Sequence, residues 1–251
     1  MGKHAILIAT LLASVTLTGC QTDDWQGTAA NVLGQLNQSG ALGSGNVGAG
    51  LTQTQIAQGL REALNVSSKT VVAQVGKSGG FNLDPQIKIP LPQSLQKVDS
   101  ALKAVGMGQL TTDLQNKMNA AAEQGSAQAL DLFITAISKM TIDDARQILS
   151  GQQDAATQYL RKSMGEELAA KFRPIIDTTL AQTGAVKAFD TVTGQYAALP
   201  FVSGLKTDLN DYVTQKAMDG VFYYVAQEEA AIRQNPAKRT TEILRTVFGA
   251  K

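Results

Sequence analysis

The chain has 251 residues, of which 43% are hydrophobic, 17% charged and only 5% aromatic, with 22 Lys and Arg against 21 Asp and Glu. That length suits one large domain or two small ones, and the balanced charge lacks the broad positive field of a nucleic-acid binder. The single His, His4, and the single Cys, Cys20, both lie near the N-terminus, which excludes Ser-His-Asp triads, Cys-His nucleophiles and His- or Cys-ligated metal sites from the remainder.

Residues 1–19 read as a lipoprotein signal peptide. Lys3 supplies a basic start, and Ala5 to Leu17 form an apolar run. As a helix this run spans about 20 Å, short of the ~30 Å hydrocarbon core, so a retained membrane span is not expected. Leu17-Thr18-Gly19-Cys20 resembles a bacterial lipobox. The resemblance implies cleavage before Cys20 and a thioether from its sulfur to diacylglycerol. Each buried CH₂ of the acyl chains adds ~0.8 kcal/mol of membrane affinity. Gln21 stands where an Asp favours inner-membrane retention in sorted lipoproteins. By that resemblance the expected place is the outer membrane, facing the periplasm.

Residues 20–50 follow as the lipidated Cys20 and a Gly-rich flexible tether whose only charges are Asp23 and Asp24. A coil of this length holds the next domain roughly 30 Å from the lipid. Trp25 lies near the lipid end, and Val32, Leu33 and Leu36 suit one short helical turn.

Residues 51–251 read as one all-helical domain. Thr52 and Gln55 make a capping box ahead of Ile56, Leu60 and Leu64 at helical spacing. Val71, Val72 and Val75 suggest a second helical run stopped at Gly79-Gly80. Residues 81–92 alternate at Ile87, Ile89 and Leu91, but Pro90 and Pro92 cannot donate to a sheet ladder, so an extended arm laid across helices is expected. Leu95, Val98 and Leu102 mark a helix after Pro92 that ends at Gly106. Residues 110–140 read as one long or kinked helix. Its second half, Ser126 to Met140, is apolar on nearly all sides, the pattern of a buried central helix. Thr141 and Asp144 suggest a second capping box, and Asp154 an N-cap, before helical runs through Leu168, Phe172, Ile176 and Leu180. Pro174 is expected to kink the last of these. A helix with Val186, Phe189, Val192 and Tyr196 ends at Pro200. Leu205 to Gln234 forms the longest run, broken by Asn235-Pro236, and Ile243, Leu244, Val247 and Phe248 mark the last helix. The fold class is all-α: a single multi-helix, bundle-like domain with a central buried helix, preceded by the tether.

Several segments together resemble an uncharacterised bacterial envelope family, domain of unknown function 4197. They include Gly59-Leu-Arg-Glu-Ala-Leu64, the Ile87 to Pro92 arm and Asn119-Ala-Ala-Ala-Glu123. Further on come Asp144 to Gly151, Asp154 to Thr157, Asp219-Gly220, and Glu228 through Pro236 to Thr241. The resemblance implies an exported α-helical domain and supplies no catalytic residues.

Two groups of charges offer chemistry. Glu228 shares a helix face with Val221, Val225 and Ile232, so it is expected to point inward, with Glu229 and Arg233 as an i,i+4 pair that contributes little if exposed and Arg239 approaching the buried side. Glu228, Glu229, Arg233 and Arg239 suit either a recessed acid–base or ligand site or a buried ion-pair cluster fixing the last two helices. Glu123, Asp143, Asp144 and Asp154 form the second group. Helix capping accounts for Asp144 and Asp154, and a Ca²⁺ or Mg²⁺ site would require Glu123 to pack beside them. The spacing demands no metal, and no GxGxxG, P-loop, HExxH or EF-hand pattern implies a cofactor. The basic segment 233–251 suits solvated helix charge, or contact with anionic headgroups.

The expectation is a non-catalytic, lipid-anchored module that contacts an envelope protein or scaffolds the envelope, with no nucleic acid involved. The alternatives are a carrier of an apolar or lipid-like ligand held between helices, and a carboxylate-dependent glycan or peptidoglycan hydrolase. Against the latter, the only Trp, Trp25, lies in the tether.

Overall fold

In this computed structural model the described residues are 50–197 and 208–249. The expected signal peptide, Cys20, the expected tether up to residue 49, Pro200, Leu205 and Lys251 lie outside them.

Nine α-helices and one 3₁₀ turn occur among the described residues, with no strand. Helix α1 spans Gln53–Val75 and opens on the expected capping box: Thr52 Oγ1 accepts the Gln55 N–H, and Gln55 Oε1 accepts the Thr52 N–H. It runs unbroken through Val71 and Val75, so the two expected runs are one helix whose inward face never lapses. The expected extended arm at 81–92 is extended only in its second part: turns occupy 81–83 and 85–87, closed by bonds such as Lys88 N–H to the Asp84 carbonyl, and Ile87 and Ile89 are buried while Pro90 is exposed. Helix α2 (Gln93–Ala104) is followed by Gly106, whose φ of 77° favours glycine.

Residues 110–140 divide at Ala129 into α3 (Gln109–Gln128) and α4 (Leu130–Lys139). The expectation of an all-round buried helix over 126–140 is corrected here. Helix α4 buries Phe133, Ala136 and Ile137, leaves Leu130, Leu132 and Ile134 half-buried, and exposes Asp131, Thr135 and Lys139. Helix α5 (Ala145–Ser150) is short, and α6 (Ala155–Gln182) is the longest helix described, continuing through Pro174. Helix α7 covers Ala185–Ala197, α8 covers Leu209–Gln234, a 3₁₀ turn covers Pro236–Lys238, and α9 covers Glu242–Gly249.

The central positions belong to α8 and its neighbours. Helix α8 packs on α6 and α1, α3 packs on α6 and α7, and α4, α5 and α9 surround α1. One continuous apolar core joins them, with Leu60, Leu64, Phe81, Leu114, Phe172, Val221, Val225 and Phe248 nearly or wholly inaccessible. No described helix is long and apolar enough to cross a membrane.

Candidate functional site

Only three charged residues among those described are buried: Glu123, Glu229 and Arg233. A charge removed from water needs a partner, so their surroundings show what each is for.

Glu229 and Arg233 are neighbours on one face of α8. Glu229 Oε1 accepts the Ala156 N–H at 3.0 Å and the Arg233 Nε–H at 2.8 Å, and lies 2.7 Å from Arg233 Nη2. Its Oε2 accepts the Thr157 N–H at 2.7 Å and the Thr157 hydroxyl at 2.6 Å. Ala156 and Thr157 begin α6, so this carboxylate satisfies N–H groups that a helix start leaves unpaired, and its charge meets the positive end of the helix dipole. The Arg233 guanidinium donates to the carbonyls of Leu149 at 2.8 Å and Ile148 at 3.2 Å, at the end of α5. Its other side lies 5.5 Å from the centre of the Phe248 ring in α9. One ion pair thus closes the end of α5, opens α6 and locates α9.

These placements revise several expectations. Glu228 is not the recessed carboxylate. It is half-buried and 3.2 Å from exposed Lys238, while Glu229, one residue on, takes the interior. Asp154 stands at the start of α6, but its side chain makes no bond to that helix's N–H groups and accepts from Gln158 Nε2 instead. Asp144 likewise makes no side-chain cap on α5, so the Thr141–Asp144 capping box does not form. The carbonyls of that loop are held from other elements: Met140 O by Arg61, Thr141 O by the Tyr159 hydroxyl, and Asp143 O by Gln53. Arg239 donates to the carbonyls of Ile232 and Arg233, closing the end of α8. Arg233 is buried and Lys238 paired, so the basic segment does not present all its charges as one surface.

The second expected group is dispersed. Glu123 lies on α3 and accepts the N–H groups of Phe81 and Asn82, each at 3.0 Å, whereas Asp143 and Asp144 are exposed near α5 and Asp154 starts α6. Among the described residues no three His, Cys, Asp or Glu side chains are grouped to hold a metal ion.

The arm, read from sequence only as an extended segment, is fastened by side chains from two helices. Asn119 Oδ1 accepts the Ile89 N–H at 2.8 Å, and its Nδ2 donates to the Ile89 carbonyl at 2.9 Å, so one side-chain amide pairs with the arm as a neighbouring strand would. From α8, Tyr212 donates to the Pro90 carbonyl and Tyr224 to the Asp84 carboxylate. The bond to Asp84, with burial behind it, pushes the Tyr224 hydroxyl up to about 12, and burial raises that of Tyr212.

Two of the surface grooves lined by described residues are large enough to admit a small ligand. One, of about 590 Å³, runs between α5 and α6 and is lined by Asp144, Gln147, Ile148, Tyr159 and Lys162. Neither Asp144 nor Lys162 forms an ion pair with another described residue. The other, of about 500 Å³, lies beside the arm, where Asn82, Leu83, Lys117 and Glu123 contribute to its wall.

No curated protein and no solved structure matches the chain. The family described as protein of unknown function (DUF4197) matches residues 50–249, which include α1 through α9, the arm and both buried carboxylates. The match covers well over half of the sequence, and the chain belongs to the DUF4197 family.

Proposed function

We propose that this protein is a lipid-anchored helical module of the periplasmic face of the outer membrane that acts by protein–protein contact. The observation that carries the reading is the use made of the charges best suited to acid–base work. Glu229 holds four donors, Arg233 three acceptors on two elements, and Arg239 the end of α8. They form a joint between helices, and both grooves combine polar side chains with apolar ones such as Ile148 and Leu83, as contact surfaces do. The L-T-G-C sequence at 17–20 supports the anchor.

The test compares the wild-type chain with Cys20→Ser in the bacterial envelope, using acyl labelling and chemical crosslinking read by mass spectrometry. The expected result is a label on the wild type only, together with reproducible crosslinks from the helical domain to one envelope protein. A labelled Cys20→Ser chain refutes the anchor. Crosslinks absent from the wild type, with a lipid or glycan co-purifying in stoichiometric amount, refute the contact reading and favour a carrier or hydrolase.

A further inference from the structure

Glu123 and Glu229 are buried to nearly the same degree, 6% and 0% exposed, yet only one of them has a counter-charge. Glu229 meets Arg233, two backbone N–H groups and a hydroxyl. Glu123 has two backbone N–H groups, from Phe81 and Asn82, and both bind Oε1. No group in the described protein donates to Oε2. Lys117, on the same groove, pairs with Asp113 at 2.9 Å instead. Glu123 Oε2 is left to solvent at the groove wall, and the side-chain Oδ1 of Asn82, on the same groove, is buried with no donor among the described residues.

A buried carboxylate without a counter-charge and a buried amide oxygen without a donor are both unfavourable, so each favours a donor brought in from outside. Both residues line the groove of about 500 Å³ beside the arm, a size within the range of small-ligand sites of about 300–1,000 Å³. At its rim Leu83 is 82% exposed, the most exposed large apolar side chain described. The wall therefore offers oxygen acceptors at depth and an apolar surface at the mouth. A lysine or arginine side chain has the matching layout, with an apolar stem and a donor-only cationic head.

We infer that this groove is a receptor for a basic side chain of a partner protein, with Glu123 Oε2 and Asn82 Oδ1 taking its ammonium or guanidinium and Leu83 covering its stem. The inference rests on the protein-contact reading for the source of that side chain, but the site itself can be tested without any partner.

The experiment titrates the full chain, purified in detergent, with N-acetyl-arginine amide, N-acetyl-lysine amide, the uncharged N-acetyl-norleucine amide and calcium chloride, following the Phe81 and Asn82 amide resonances. Expected are saturable shifts with the two cationic probes and binding of the norleucine probe weaker by at least about tenfold. Glu123→Gln keeps an oxygen for both N–H groups and removes only the charge, so it is expected to preserve the arm and weaken the cationic probes by at least about tenfold. Ala120→Lys places an ammonium three residues before Glu123, at a half-buried position on the wall of the same groove, and is expected to raise thermal stability and abolish probe binding. Equal binding of the norleucine probe, unchanged affinity in Glu123→Gln, or calcium binding that the arginine probe cannot displace would each overturn the site. These outcomes leave the protein-contact reading standing, just as a failed partner search leaves a site that binds the probes intact.

Discussion

Arg233 follows Glu229 by one helical turn, and the two side chains bind opposite sides of the same helix junction. The carboxylate holds the first N–H groups of α6, while the guanidinium holds the last carbonyls of α5. Each neutralises the other and each also satisfies a helix end, so removing either leaves a buried charge and orphaned backbone groups together.

Glu229→Ala and Arg233→Ala are each expected to destabilise the domain by about 3–5 kcal/mol, measured by urea unfolding. The double variant is expected to fall short of the sum by more than about 1 kcal/mol, because the two share one network. Glu228→Ala, whose partner Lys238 is exposed, is expected to cost less than about 1 kcal/mol.

Asn119→Ala is expected to cost about 2–3 kcal/mol, since it strips acceptor and donor from the Ile89 backbone in a buried place. Amide hydrogen exchange checks the location of the effect. Ile89 is expected to lose its protection while the core of α8 keeps its own.

Close helix approach separates two glycines. A Cβ at Gly59 would lie 2.6 Å from Cγ2 and 2.8 Å from Cβ of Val247, the branched and stiff part of that side chain. Gly59→Ala is therefore expected to cost about 1–3 kcal/mol, with Val247→Ala restoring part of the loss. At Gly125 the nearest atom is Ile176 Cδ1, the far end of a longer side chain, so Gly125→Ala is expected to cost less. Thermal unfolding of the three variants decides it.

Stability is expected to fall at both ends of the pH scale for different reasons. Tyr224 is raised to about 12, so its contribution is fully present below the unfolded value of about 10 and is lost as pH rises toward 12. Tyr224→Phe is expected to flatten that alkaline limb. At the acid end, burial alone would raise Asp99, but its bonds from Lys103 and Thr111 outweigh burial and lower it. The Asp211 N–H and Arg173 lower Asp208 in the same way. Their contribution is present above about pH 3.9 and is lost as pH falls through the folded values. Urea unfolding across pH, with Asp99→Asn as control, measures both limbs.

Local patterns in the sequence are enough to place most helices and the proline-flanked second part of the arm, but not the turns at 81–83 and 85–87. Thr52 and Gln55 form their box, Pro92 precedes α2, and Asn235-Pro236 ends α8, because each depends on neighbours within one turn. The choice between Glu228 and Glu229 was beyond such patterns. The buried face of α8 is wide enough for either, and the decision comes from where α6 begins, more than seventy residues away in sequence. For the same reason Asp154 looked sufficient as a cap. The distant Glu229 takes those N–H groups, and nothing local to Asp154 reveals it. The break at Ala129 has no Gly or Pro to mark it. Glu123 is legible in the sequence as a carboxylate, but its open oxygen depends on the fold of the Gly79-Gly80 turn beside it.

The contact reading is tested most directly by placing a photocrosslinking residue at Leu83 of the full chain in its native membrane, with and without Glu123→Gln. The account predicts a single protein adduct whose modified peptide contains a lysine or arginine at the crosslinked position, lost when Glu123 loses its charge. An adduct of equal yield in Glu123→Gln, or crosslinks only to lipid or glycan, would contradict it.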